Sequence, residues 1–332
     1  MAWGLGMGRF FGVLLLLTLL AAGVGAYLAY WPYGPTSGTF VEILPGTSTT
    51  QIAAELQAKG IVRSRYAFDA LRLWKRGTLK AGEYRFDHPA SAAEVYTRIE
   101  RGDVYTLALT VPEGYNIFDI AHAVEAAKLG SADSFLQAER ADTSLINDLS
   151  PGAPSLEGFL FPDTYRFSRK ASPHQILATM VKRFRQTASQ VGLTSNVAHT
   201  VTLASLVERE TGVNRERPLV ASVFVNRLSQ GMPLATDPTV IYAALLEGRY
   251  GGKIYESDLQ SESSYNTYKH TGLPPGPICN PGVASLRAAM SPAQTDYLYF
   301  VSDAKGHSVF AKSLGEHSKN VQAYRQAEGV AR

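Results

Sequence analysis

The sequence predicts an α+β protein: a single N-terminal transmembrane helix, a small α/β subdomain, then a larger mixed α+β domain. Three observations predict it. From Phe10 to Trp31 no residue is charged, a run close to the ~20 apolar residues that cross a bilayer as a helix. Between Thr39 and Arg101, short strand-like runs alternate with segments of helical spacing. From Ser155 onward, stretches dense in aromatic, Pro and Gly residues separate long helical segments. The expected divisions are 1–9 as a cytoplasmic terminus, 10–31 as the transmembrane helix, 32–38 as a linker, 39–104 as the small subdomain and 105–332 as the larger domain.

Bulk properties narrow the function classes. With 45% hydrophobic and 18% charged residues, the chain folds rather than staying disordered. Its net charge is +3 and its basic residues are scattered, so nothing points to nucleic acid. The lone cysteine, Cys279, excludes an internal disulfide. It lies in a proline-flanked turn with no helix start to lower its pKa, which makes it a poor nucleophile. His270, His307 and His317 share no ligand-like spacing, so no metal is expected.

The N-terminus sets the compartment. Tyr27, Tyr30, Trp31 and Tyr33 cluster at the far end of the apolar run, as an interfacial aromatic belt would. Arg9 lies on the near side and the next charge is Glu42. That asymmetry places the terminus in the cytoplasm and the rest of the chain outside. A cleaved signal ending near Val24-Gly25-Ala26 is the alternative. The apolar run continues past that point, which favours a retained anchor, and both readings export the rest of the chain.

Past the linker, Thr39 to Leu44 reads as a strand, Pro45-Gly46 as a turn and Thr50 to Lys59 as a helix capped by Thr47 or Ser48. A second helix covers Arg65 to Arg76, a strand Ala81 to Phe86 and a third helix Ala90 to Arg101. Leu107 to Val111, Gly114, Ile120 and Ala121 echo Val41 to Leu44, Gly46, Ile52 and Ala53, as a repeated strand–turn–helix unit would. Further helices are expected at Pro173 to Val191, Asn196 to Thr211 and Arg217 to Gln230. A loop-rich stretch runs from Gly231 to Ser291, broken by a helix at Thr239 to Leu246. Tyr297 to Val301 reads as a last strand and Leu314 to Glu328 as a polar closing helix.

The segment Thr202 to Thr211 is an apolar helix ending in two carboxylates, Glu208 and Glu210. A carboxyl embedded there loses water, and desolvation disfavours its charged form. This is how a glutamic acid keeps a proton near neutral pH and donates it to a glycosidic oxygen. Both residues are candidates. Glu208 shares a stripe with the small Val201, Ala204 and Ser205, and Glu210 with the bulkier Leu203, Leu206 and Val207, which tilts the choice toward Glu208. Glu157, in an aromatic turn-rich segment, either lines a cleft or holds its loop by backbone hydrogen bonds. Asn226, Thr236 and Asp237 are candidates for bonding sugar hydroxyl or acetamido groups, although Thr236-Asp237-Pro238 also reads as a helix cap. Tyr265, Asn266 and Tyr268 offer rings and an amide to pyranose faces, or pack in the core.

Several ordered motifs carry a resemblance. LASLVERET (Leu203 to Thr211), EGFLFPDTYRF (Glu157 to Phe167), VFVNRL (Val223 to Leu228), GMPLATDPTVIY (Gly231 to Tyr242), YNTY (Tyr265 to Tyr268), GLPPGPICNPG (Gly272 to Gly282) and YLYFV (Tyr297 to Val301) are similar to the YceG-like family of endolytic murein transglycosylases. The small subdomain resembles LysM glycan-binding modules. The family resemblance implies cleavage between N-acetylmuramic acid (MurNAc) and N-acetylglucosamine (GlcNAc) in nascent peptidoglycan strands. It implies 1,6-anhydro-MurNAc ends, a limit on strand elongation and the first Glu of the LASLVERET motif, Glu208, as the catalytic group. It also implies no cofactor, and makes peptidoglycan synthases candidate partners. Cys279 stands where the pattern expects a small residue such as Ala. A hydrolytic muramidase, with Asp237 or Glu157 as second acid, and a non-enzymatic wall-binding scaffold remain alternatives. A pyridoxal-phosphate lyase fits poorly, because the matched motifs hold no lysine and only Lys269 lies beside one, next to YNTY.

Overall fold

The computed structural model describes residues 3–303, 306–327 and 329. Met1 and Ala2 of the expected cytoplasmic terminus, and Glu328 at the expected end of the last helix, lie outside them. The fold is mixed α+β, with one apolar N-terminal helix and small two-stranded sheets. Packing divides it into two units, Met1–Thr106 and Leu107–Arg332.

The first unit opens with α1 (Trp3–Tyr30), whose Arg9–Tyr30 span has a mean hydropathy of 2.2. Every side chain from Arg9 to Tyr27 is exposed, and a helix apolar on all sides and uncovered by protein suits lipid. Its end is fixed, because Ala29 joins the core of the unit and Tyr33 pairs with Ala90. Then follow β1 (Thr39–Ile43), α2 (Thr49–Ala58), α3 (Arg65–Lys75), β2 (Gly82–Phe86) and α4 (Ala92–Arg101). β1 and β2 are antiparallel with Val41 opposite Tyr84. Ser48 and Ser91 each accept from the N3 amide while Gln51 and Glu94 reach back, so both helices start with a capping box. Val41, Leu56, Phe68, Tyr84, Tyr96 and Ile99 fill the core between the strand pair and the helices.

The second unit begins with β3 (Leu107–Thr110) and α5 (Ile117–Ala126). The internal echo is visible here: β1–α2 and β3–α5 each turn through a glycine in the left-handed region, Gly46 at φ 84° and Gly114 at φ 81°. Next come α6 (Ala132–Ala141), β4 (Thr164–Phe167), α7 (Pro173–Val191), α8 (Val197–Glu210) and α9 (Arg217–Ser229). The chain closes with α10 (Asp237–Leu246), α11 (Glu256–Leu259), α12 (Val283–Met290), β5 (Tyr299–Ser302), β6 (Ser308–Ala311) and α13 (Leu314–Ala327). β4 pairs with β3, and β5 with β6, both antiparallel.

Several elements differ from the sequence reading. β4 lies within the aromatic, turn-rich stretch, where four residues are too few to show alternation. α12 interrupts the stretch read as loop, since Pro281-Gly282 directly before it suggested a turn. β6 completes a hairpin with β5 that the sequence reading left out.

α8 is the axis of the second unit. From Thr200 to Val207 every residue is buried. Val201 and Ala204 join one core with Phe159 and Phe184, while Leu203, Leu206 and Val207 join another with Phe224 and Tyr242. The hydroxyls on this helix turn inward, Thr202 donating to the Ala198 carbonyl at 2.8 Å and Ser205 to that of Thr202 at 2.7 Å. Each side chain therefore leaves an unfilled space if removed. Leu206→Ala is expected to lower unfolding free energy by about 2–5 kcal/mol in chemical denaturation, with little change in m-value.

Candidate active site

α8 ends at Glu210 because Thr211 turns extended, leaving two carboxylates on its final turn. Two residues along a helix correspond to about 200° of rotation, so Glu208 and Glu210 point to opposite sides. Their surroundings differ accordingly.

Glu208 is charge-paired. Arg217 Nη2, on the first residue of α9, donates to Glu208 Oε1 at 2.7 Å, and the side chains are 6% and 5% exposed. The Gly282 amide donates to Glu208 Oε2 at 2.9 Å, and Arg217 also donates to Asn214. Glu113 stands beside this pair, against Gly282. Burial, then repulsion from Glu208, push the Glu113 carboxyl above its ordinary range, against the pull of Arg217.

Glu210 lines a cavity of about 390 Å³ together with Arg227, Thr236, Asp237, Tyr268, Tyr299 and His317. Burial pushes its carboxyl above the usual range and Asp237 adds to the rise, while the Thr236 hydroxyl, which donates to it, and Arg227 oppose it. The segment before α10 sets this up. Ala235 adopts φ 49°, an uncommon conformation for a residue with a Cβ. The Thr267 carbonyl and hydroxyl accept from the Ala235 and Thr236 amides at 3.0 and 3.1 Å. Thr236 is the N-cap of α10, yet its hydroxyl goes to Glu210 instead of the helix. Asp237 accepts from the Tyr268 hydroxyl at 2.7 Å. Arg227 is clamped by the carbonyls of Leu298 and Leu234, both at 2.7 Å, and lies 5.2 Å over the Tyr299 ring.

The structure thus brings Thr236, Asp237 and Tyr268 to one cavity, and the carboxyl they meet is Glu210. Glu208, expected as the catalytic group, does not line this cavity, and a guanidinium holds it. Glu157 is almost fully buried, accepting from the Ile117 amide at the start of α5 (2.9 Å) and from Asn280 (2.8 Å), which is the loop-holding alternative of the two read from the sequence. Asn226 uses both amide hydrogens on the Thr295 and Tyr297 carbonyls, at 2.8 and 2.9 Å. Asn266 is fully buried and donates to the Leu259 and Ser261 carbonyls. Tyr265 packs in the core, its ring 5.1 Å from that of Tyr242. These four side chains shape the loops around the cavity without lining it. Cys279 is fully buried, its thiol pushed far up by burial. Sequence reasoning missed Arg227, Tyr299 and His317. Arg227 stood within a quoted motif next to Asn226, and an arginine among apolar residues was the available signal.

The comparisons with known proteins bear on this geometry. A model of the YceG-like family matches residues 41–323. The chain belongs to this family. It is 35% identical over 309 residues to a Bacillus subtilis (strain 168) protein named endolytic murein transglycosylase, covering 86% of this chain and 84% of that one. A Streptococcus pneumoniae serotype 2 (strain D39) protein of the same name is 29% identical, with 93% of this chain spanning 63% of its greater length. The crystal structure of a YceG-like protein from Listeria monocytogenes, at 34% identity, superposes with a TM-score of 0.56 over 86% of this chain and 99% of that one.

The buried carboxyls of this YceG-like unit make its stability pH-dependent. Burial raises Glu157 from 4.5 to about 8, against the amide donors that favour its charge. Burial likewise raises Glu139, which accepts from the Leu156 amide, to about 7. A folded-state pKa above the unfolded one means that the folded protein keeps protons the unfolded chain has lost. Stability is therefore full below about pH 4.5 as far as these groups are concerned, and falls as pH rises through about 7 to 8. Urea denaturation across that window is expected to show this decline, and Glu157→Gln to flatten it while lowering stability at the acid end.

Proposed function

We propose that this chain is a membrane-anchored lytic transglycosylase that cuts the MurNAc–GlcNAc bond within peptidoglycan strands, with Glu210 as its single acid and base. The observation that carries the reading is the placement of Glu210: a desolvated carboxyl at the edge of a cavity that also holds Asp237, Tyr268 and Arg227. The names of the relatives agree with it.

The chemistry needs one such group. Protonated Glu210 gives its proton to the bridging oxygen as the bond from MurNAc C1 breaks and positive charge develops on that sugar. The carboxylate left behind takes the proton of the same sugar's C6 hydroxyl, whose oxygen bonds to C1. A 1,6-anhydro ring closes, GlcNAc leaves with a free hydroxyl and no water is consumed. The nucleophile is tethered to its target, so proximity replaces a second catalyst. Arg227 stabilises the carboxylate between the two proton transfers, and Asp237 favours its reprotonation. Cuts within nascent strands would limit their elongation. The apolar α1 serves as anchor, with everything after it on the periplasmic side of the inner membrane, and the LysM-like first unit is assigned to glycan binding. In this reading Glu208 is not the catalyst; with Arg217 and Gly282 it holds the end of α8.

A hydrolytic muramidase is the second reading, favoured by Asp237 lying in the same cavity as Glu210. Asp237 would then activate water, and the new ends would be reducing sugars. Digestion of purified glycan strands by the full chain, with mass analysis of the ends, separates the two: anhydro-MurNAc ends support transglycosylation, and reducing ends refute it. Glu210→Gln is expected to lower the rate by about 10²–10⁴-fold with the fold intact. Glu208→Ala is expected to cost about 3–5 kcal/mol of stability by stranding buried Arg217. Full activity in Glu210→Gln would reject the assignment of the acid.

The pH profile gives an independent check. The acid must be protonated, so its pKa sets the alkaline limb of kcat/KM. Asp237→Asn keeps an acceptor for Tyr268 and removes the negative neighbour that raises Glu210. That limb is expected to move to lower pH in the variant; an unmoved limb would show that Asp237 does not tune the acid.

A further inference from the structure

The helix α3 has two apolar faces. Phe68 and Leu71 are buried in the core of the first unit. Tyr66, Ala70, Leu73 and Trp74 form a second stripe, at i, i+4, i+7 and i+8, and all are exposed. Tyr66 is 69%, Leu73 78% and Trp74 71% exposed. Isolated exposed apolar residues are ordinary, but a continuous stripe ending in Leu-Trp is a surface awaiting a partner.

Two further observations say what that partner is. The stripe runs into basic residues, Arg72, Lys75 and Arg76. It also ends beside the apolar helix: α3 packs against α1, and Lys75 lines the same cavity as Tyr30, the last residue of α1. Tryptophan, tyrosine and a basic fringe at the end of a membrane-spanning helix are the chemistry of the lipid–water interface. The junction is built to hold this placement, since Arg63 stacks over Tyr27 at 4.9 Å and Tyr33 at 4.7 Å.

We propose that α3 is a membrane-surface element, its Tyr66–Trp74 stripe seated among phospholipid headgroups and its basic end on anionic lipid. It fixes the orientation of the first unit against the bilayer instead of leaving that unit free on a tether. The inference rests on the reading of α1 as a retained anchor.

The test uses the full chain in nanodiscs of phosphatidylcholine with phosphatidylglycerol, one copy per disc. The chain has three tryptophans, Trp3, Trp31 and Trp74. One variant, Trp3→Phe with Trp31→Phe, leaves Trp74 as the sole reporter; another, Trp3→Phe with Trp74→Phe, leaves Trp31. Emission is compared between ordinary lipids and lipids brominated near the headgroup end of the chains. Blue-shifted Trp74 emission, quenched to an extent comparable with Trp31, is the expected result. Reversal of the basic end, Arg72→Glu with Arg76→Glu, is expected to weaken Trp74 quenching in phosphatidylglycerol discs and leave Trp31 unchanged. Quenching of Trp31 without Trp74 would overturn the proposal while leaving the anchor in place. Quenching of neither would overturn the anchor, and the proposal with it. Protection of Trp74 only in discs carrying two copies would make the stripe an interface between chains and overturn the lipid assignment.

Discussion

A helix buried on every side from Thr200 to Val207 runs into two carboxylates on its last turn, and the rest of the second unit is arranged around that constraint. α8 is packed on both sides by separate cores, so a carboxyl on its last turn is largely stripped of water. Burying a carboxylate without compensation costs several kcal/mol, which leaves two outcomes: pair it, or let it keep its proton. The structure uses both. Glu208 receives a guanidinium and an amide. Glu210 receives a hydroxyl, a more distant guanidinium and a neighbouring carboxylate, and its charged form is the disfavoured one. Two glutamates one residue apart thus acquire opposite duties from their surroundings alone.

The same division explains what the sequence could and could not disclose. That an apolar helix ends in a Glu-Arg-Glu run was legible, and so was its consequence, a desolvated acid. Which of the two glutamates is paired with a guanidinium and which faces the cavity was not legible. The choice depends on what meets each side chain across long sequence separations: Gly282 lies 74 positions from Glu208, and Thr236 lies 26 from Glu210. The size of neighbouring residues on the helix pointed to Glu208, because small neighbours were taken as room for a ligand. In the fold that space is filled by α12 and the segment before it, which pack against α8. The bulky Leu203, Leu206 and Val207 pack without closing the cavity at the next turn. Long periodic segments such as α7 were read almost to the residue. The four-residue β4 and the Pro-Gly-led α12 were not, since neither is long enough to show a period.

The polar residues expected as substrate contacts that do not line the cavity share a physical feature. Glu157 and Asn266 sit in irregular chain, and Asn226, on α9, faces the irregular segment before β5; such chain must satisfy its own amides and carbonyls. Each is placed where several such groups converge, and each makes two or more bonds to them. A polar side chain in a turn-rich, aromatic stretch has this task available whether or not a ligand exists. The ones that do reach the cavity, Thr236 and Tyr268, differ in having their polar end turned toward another ionisable side chain.

Asp237 is the residue on which the choice between the proposed transglycosylation and its hydrolytic alternative turns. Its Oδ1 accepts from Tyr268, and its charge raises both Glu210 and the Tyr268 hydroxyl. A carboxylate held in that way acts on its neighbours through its field: it favours the protonated form of Glu210 and anchors a ring on the cavity wall. Hydrolysis would ask more of it, an oxygen that takes a proton from water in line with the breaking bond. Glu210, by contrast, is balanced between Asp237, which favours its proton, and Arg227, which favours its charge. An acid that must give a proton and take one back within a single turnover needs that balance.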